Sequence, residues 1–99
     1  MGERESRRSG QGSEVRGSDR TEELVSLLGG MARALVDSPG EVQVYTVAGE
    51  TALILEVQAA ESDVGQLIGK EGRTAGAIRT ILSAAATKRG LRVMLEILE

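Results

Sequence analysis

The sequence predicts an α+β fold in which one three-stranded sheet is covered on one side by three helices. Two observations lead there. Apolar residues recur at helical spacing in some stretches and alternate between two faces in others. The resulting order is helix, strand, strand, helix, helix, strand, and a single sheet is the simplest way to bury those stripes together. A chain of 99 residues suits one such core.

Residues 1–20 hold four Gly, four Ser, five Arg and four acids, with only Met1 and Val15 apolar. Such a segment cannot bury enough apolar surface to order itself, so it reads as a disordered tail ahead of a domain over residues 21–99. Glu3, Glu5, Glu14 and Asp19 argue against a transit peptide. A solvated extension and a weak, nonspecific contact with a polyanion both remain open for it.

The first helix is expected to start at a capping-box-like pair, Asp19 and Glu22, and to carry a buried stripe of Leu24, Leu28, Met31 and Leu35. Ser38-Pro39-Gly40 ends it. Gly29 and Gly30 lie inside it and each costs about 1 kcal/mol relative to Ala. They are either a close-packing point or tolerated defects.

Glu41–Val47 and Thr51–Gln58 flank Ala48-Gly49-Glu50 and read as a hairpin, with Leu53, Leu55 and Val57 on one face of the second strand. Ser62 or Glu61 is placed to cap the next helix, a short one with Val64, Leu67 and Ile68 on one side and Gly69 as a left-handed end. A helix then restarts at once, with Ala75, Ile78, Leu82 and Ala85 in a row, Ile81 beside them, and Gly90 as its stop. Leu91–Glu99 alternates, with Val93, Leu95 and Ile97 on one face. Ile54, Met94 and Leu98 fall on the outer face, as ordinary exposed residues or as part of a subunit contact.

Composition narrows the chemistry. Without cysteine or histidine there is no disulfide framework, no ordinary zinc site and no thiolate or imidazole mechanism, so an enzyme is not expected, nor a cofactor. No apolar run approaches the roughly 18 residues of a membrane span, and a cytoplasmic protein is expected. Tyr45 is the only aromatic residue, which removes the stacking platforms that hold unpaired bases in many nucleic-acid modules.

The formal net charge of −3 conceals an asymmetry. From Thr21 to Asp63 one Arg faces eight acids, a balance of −7; from Val64 to Arg92 six cations face Glu71 alone, a balance of +5. The positive segment contains Leu67-Ile68-Gly69-Lys70-Glu71-Gly72-Arg73, a Gly-x-x-Gly turn with one cation inside and one after it, between two helices. With thirteen glycines in the chain the spacing alone is near chance, and the context gives it weight. The second helix begins with free amides and a dipole that favours an anion by about 0.3–1 kcal/mol, and glycines let a sugar-phosphate backbone approach closely. A nucleotide-binding P-loop does not fit. In Gly65-Gln66-Leu67-Ile68-Gly69-Lys70 only three residues separate the glycines, Glu71 replaces the magnesium-binding Ser or Thr, and the segment follows a helix instead of a strand.

On these residues the chain resembles a KH domain, whose Gly-x-x-Gly loop clamps about four nucleotides of a single strand. Its extra helix and strand precede the core, as in the type II arrangement. Ala34-Leu35-Val36-Asp37-Ser38-Pro39, Ile68-Gly69-Lys70-Glu71-Gly72-Arg73-Thr74-Ala75 and Ala77-Ile78-Arg79-Thr80-Ile81-Leu82 resemble the KhpA family of small bacterial KH proteins over residues 21–99. The resemblance implies a cytoplasmic protein that binds single-stranded RNA and acts as an RNA chaperone. It implies work as a homodimer or with a larger Jag-like KH protein (KhpB), and a link to cell-envelope homeostasis and cell length. Ala75 stands where many KH domains have a larger aliphatic residue, and Glu71 puts a negative charge inside the turn.

In this reading Gly69 and Gly72 permit close approach, Lys70 and Arg73 meet phosphates, and Arg79 extends the positive track, with Glu71 among them as the opposing charge. Gly65, Ile68 and Thr74 line an aliphatic groove for bases. Ile68 serves equally well as ordinary core, whereas Arg79, Lys88 and Arg89 read better as a solvated face. The competing function is a protein-protein interaction module whose RNA site has weakened.

Overall fold

A computed structural model describes residues 12–99 of the chain, with side chains from Arg20 onward. The elements are α1 (Gly12–Leu35), β1 (Gln43–Ala48), β2 (Leu53–Gln58), α2 (Val64–Ile68), α3 (Arg73–Lys88) and β3 (Val93–Ile97), in the expected order. β2 is central, antiparallel to β1 and parallel to β3. The two-helix crossover through α2 and α3 supplies the length that a parallel connection needs.

All three helices pack on one face of this sheet. Its core joins Leu24, Leu28 and Ala32 of α1, Leu55 and Val57 of β2, Leu67 of α2, and Ile78, Leu82 and Ala86 of α3, with Val42 just ahead of β1. Alternation does the same work on each strand: Val44, Val57 and Ile97 sit side by side beneath the helices, while Tyr45, Glu56 and Glu96 sit side by side on the opposite face.

Three local expectations are corrected. α1 begins at Gly12, so Asp19 lies inside the helix and does not cap it; residues 1–11 of the expected tail lie outside the described residues. The buried row of α1 runs Leu24, Leu28, Ala32 along the i+4 ridge, leaving Met31 half-buried and Leu35 42% exposed in the last turn. On α3 the row continues to Ala86, while Ile81 is 47% exposed.

Neither Ser62 nor Glu61 caps α2. Asp63 occupies the N-cap position, and its side chain turns inward instead: it is 2% exposed, and its Oδ2 accepts the Ser38 amide at 3.0 Å. The α1–β1 connection is thereby fastened to the start of the helix that leads into the Gly-x-x-Gly turn. At the far end, Gly90 (φ 73°) closes α3 as expected, with the Leu91 amide donating to the Ala86 carbonyl at 2.8 Å.

The glycine pair inside α1 is not a packing point against another element. A Cβ at Gly29 would first meet the flexible end of Arg33 on the same helix, at 2.7 Å, and one at Gly30 would meet nothing within 4 Å. Gly30→Ala is therefore expected to stabilise the protein by about 1 kcal/mol, read as a rise in Tm of about 4–8 °C by thermal unfolding.

Candidate nucleic-acid interface

The Gly-x-x-Gly turn connects α2 to α3 with a single tight 3-10 turn over Lys70–Gly72, so the second helix does not restart at once. Gly69 closes α2 with its amide donating to the Gly65 carbonyl at 2.8 Å. Its φ of 78° and ψ of 170° are not the expected left-handed helical cap but a region that only glycine occupies readily. Gly72 and Glu71 both adopt left-handed helical conformations, with φ of 75° and 57°. For Glu71 this carries a cost of about 1 kcal/mol, which the surrounding turn must offset.

The two glycines do different jobs. A Cβ on Gly69 would lie 2.7 Å from the Thr74 backbone nitrogen and 2.6 Å from its Cβ, so the first turn of α3 is seated directly against Gly69. A Cβ on Gly72 would meet nothing within 4 Å, and the same is true of Gly65 and Gly76. Gly69 thus lets the chain pack on itself, whereas the other three leave backbone open to the outside. Gly76 escaped the sequence reading. It stands one turn after Gly72, and the i, i+4 spacing was the available signal.

Side chains sort around this open backbone. Lys70 and Arg73 are exposed; Gly65 is exposed at the start of α2; Ile68 and Thr74 are half-buried at the seam between α2 and α3. Gly72 carries no side chain to cap α3, so the amides of its first turn have no side-chain acceptor there. Glu71 stays out of the amides and reaches Arg73 at 3.1 Å, with both side chains largely exposed. An exposed pair of this kind is worth at most about 1 kcal/mol, so it holds the Arg73 guanidinium loosely.

The remaining cations are not all part of this surface. Arg79 is exposed, but six residues at about 100° each put it roughly 120° around α3 from Arg73, off the same line. Arg89 is half-buried in a clasp between α3 and α1: its Nε meets Glu23 Oε1 at 2.6 Å, and its own carbonyl accepts Arg20 at 3.0 Å. It therefore fastens two helices and does not form part of a solvated face. Among the described residues no group of acids gathers that could hold a metal ion, and no helix is long and apolar enough to cross a membrane.

Because Thr74 fills the space beside Gly69, Gly69→Ala is expected to cost about 1–3 kcal/mol from backbone conformation alone. Gly72→Ala keeps an open environment and should cost about 1 kcal/mol. Chemical denaturation of the two variants checks the order, Gly69→Ala being the more destabilised.

Comparison with known proteins agrees with this geometry. A family model described as "KhpA/KhpB, KH domain" matches residues 25–97. The chain is similar to the "RNA-binding protein KhpA" of Clostridium acetobutylicum, 53% identical over 75 residues that cover 76% of this chain and 100% of that protein. It is similar also to the "RNA-binding protein KhpA" of Treponema pallidum, 50% identical over 78 residues, covering 79% of this chain and 94% of that one. Among solved structures, Era of Aquifex aeolicus superimposes with a TM-score of 0.56 at 20% identity, over 76% of this chain and 29% of that one, a likeness of fold. With its sheet, its helix pair and its Gly-x-x-Gly turn in this arrangement, the chain belongs to the KhpA/KhpB family of KH-domain proteins.

Proposed function

We propose that this protein binds single-stranded RNA at the Gly69–Gly72 turn, without catalysis of its own, and serves as an RNA chaperone. The observation that carries the reading is the open backbone at Gly65, Gly72 and Gly76 beside the exposed Lys70 and Arg73, at the start of a helix. A sugar-phosphate strand fits such a surface because no Cβ holds it off, and both cations and the α3 dipole favour its charge. Relatives that are named RNA-binding proteins support the same reading.

Roles follow from placement. Lys70 has no acidic partner among the described residues and takes the principal phosphate contact. Arg73 takes a second, exchanging Glu71 for phosphate, and Glu71 thereby limits the affinity. Ile68 and Thr74 offer aliphatic surface to bases, Gly69 acts by seating Thr74, and Arg79 adds positive potential from the side. One such groove holds only about four nucleotides, so a single chain binds with little selectivity.

A folded double variant, Lys70→Asp with Glu71→Asp, tests the site, since Asp tolerates the left-handed conformation at position 71. It should bind a short single-stranded RNA about tenfold or more weakly than the parent, with a salt dependence flatter by about 0.7 for each phosphate that is no longer neutralised. Equal affinity with an unchanged salt slope would rule the clamp out.

Pairing is the second part of the proposal, as a homodimer or with a Jag-like KH protein. Two linked grooves raise avidity through effective concentration. The specific observation is Ile81, 47% exposed on α3 between the small exposed residues Ala77 and Ala84, which let a second helix come close. Ile81→Glu is expected to shift the protein from dimer to monomer in light scattering while circular dichroism stays unchanged. A variant that remains dimeric places the contact elsewhere. Family resemblance alone extends the proposal to RNAs that bear on the cell envelope and cell length.

A further inference from the structure

The sheet face turned away from the helices has no cover, and its chemistry differs from that of the turn. Among the described residues, three of the five large hydrophobic side chains that stand exposed lie on it: Tyr45, Val47 and Met94, the last 59% exposed. Val47, Ile54 and Met94 are register neighbours and form one apolar row across all three strands. The next row contains Glu56 beside Glu96 on adjacent parallel strands, a like-charge placement that works against the sheet. Among the described residues neither carboxylate stands within ion-pair distance of a cation.

Charge decides among the occupants. RNA is repelled by this pair. A second copy stacked face to face brings two such pairs together, so it is repelled as well. The chain's own residues 1–11 contain Arg4, Arg7 and Arg8 but only Met1 to cover an apolar row. Size points the same way: two inter-strand gaps of about 4.8 Å span roughly 10 Å, the width of one helix. We infer that this outer face docks a cationic amphipathic helix of a partner protein, its apolar stripe on Val47, Ile54 and Met94 and its lysines or arginines on Glu56 and Glu96. The sheet then lies between two helical layers, a common way to bury both of its faces. The turn presents Lys70 and Arg73 and the sheet Glu56 and Glu96, so the two surfaces attract ligands of opposite charge.

The test uses the full chain labelled with ¹⁵N and a synthetic amphipathic helix of leucine and lysine as probe. Saturable amide shifts are expected on β1, β2 and β3 around Val47, Ile54 and Met94. Glu56→Lys with Glu96→Lys should weaken binding about tenfold while leaving RNA affinity in place. Should that double variant fail to fold, Met94→Lys at an exposed position, which removes apolar surface and repels a cationic helix, serves in its stead, with the same expected loss. The proposal is overturned by shifts confined to the Gly69–Arg73 turn or α3, or by equal binding of a lysine–serine peptide of the same charge. Unchanged affinity in the folded variants overturns it too. Conversion of a dimer to a monomer by Met94→Glu would assign the face to a second copy and overturn it as well.

Discussion

The seat of Thr74 against Gly69 is the contact on which the Gly-x-x-Gly turn, the candidate binding surface, depends. With hydrogen alone at Gly69, α3 can begin within one tight turn of the end of α2, and the two helices meet at a fixed angle. Leu67 before the turn and Ala75 and Ile78 after it then reach the common core, so burial holds both sides of the loop in place. A Cβ at this one position would press on the Thr74 backbone nitrogen at 2.7 Å, so something in the turn that carries Lys70 and Arg73 would have to shift. Asp63 reinforces the arrangement from the other end of α2 by holding the Ser38 amide, tying the turn's leading helix to the α1–β1 connection.

Around that frame the charges are distributed by surface instead of cancelling. Lys70 and Arg73 stand at the open backbone, Arg89 is spent on Glu23 in the α1–α3 clasp, and Glu56 and Glu96 lie together on the far side of the sheet. A protein of net charge −3 can therefore attract a polyanion locally, because at physiological salt the field of exposed charges fades over about 8 Å. Glu71 is the local counterweight. Its pair with Arg73, at 3.1 Å between two largely exposed side chains, is worth at most about 1 kcal/mol.

Much of this was legible in the residues. Element order, the presence of a hairpin (its loop is residues 49–52, since Ala48 pairs with Leu53, and not Ala48–Glu50), the inward faces of β2 and β3 and the stop at Gly90 all follow from period, β-branching and glycine placement, because those are properties of one segment at a time. The turn and its two cations, Lys70 inside it and Arg73 after it, could be read for the same reason. What misled was local also: Asp19 and Glu22 look like a helix start although the helix runs through them, and a helical stripe does not say which of its edges a sheet will cover.

By itself, then, the sequence determined the α+β class, the strand faces, the Gly-x-x-Gly turn and its family resemblance. Only the tertiary structure decided which glycine is internal and which is open, since a missing Cβ means packing at Gly69 and access at Gly72 according to what lies opposite. It decided likewise that Ala86 is buried while Ile81 is exposed, that Asp63 is buried on a backbone amide 25 residues away, and that Arg89 is a fastener. It set Glu56 beside Glu96 as well, residues far apart in the chain that the parallel register makes neighbours. Each of these depends on which segments come together, and spacing along one chain does not carry that information.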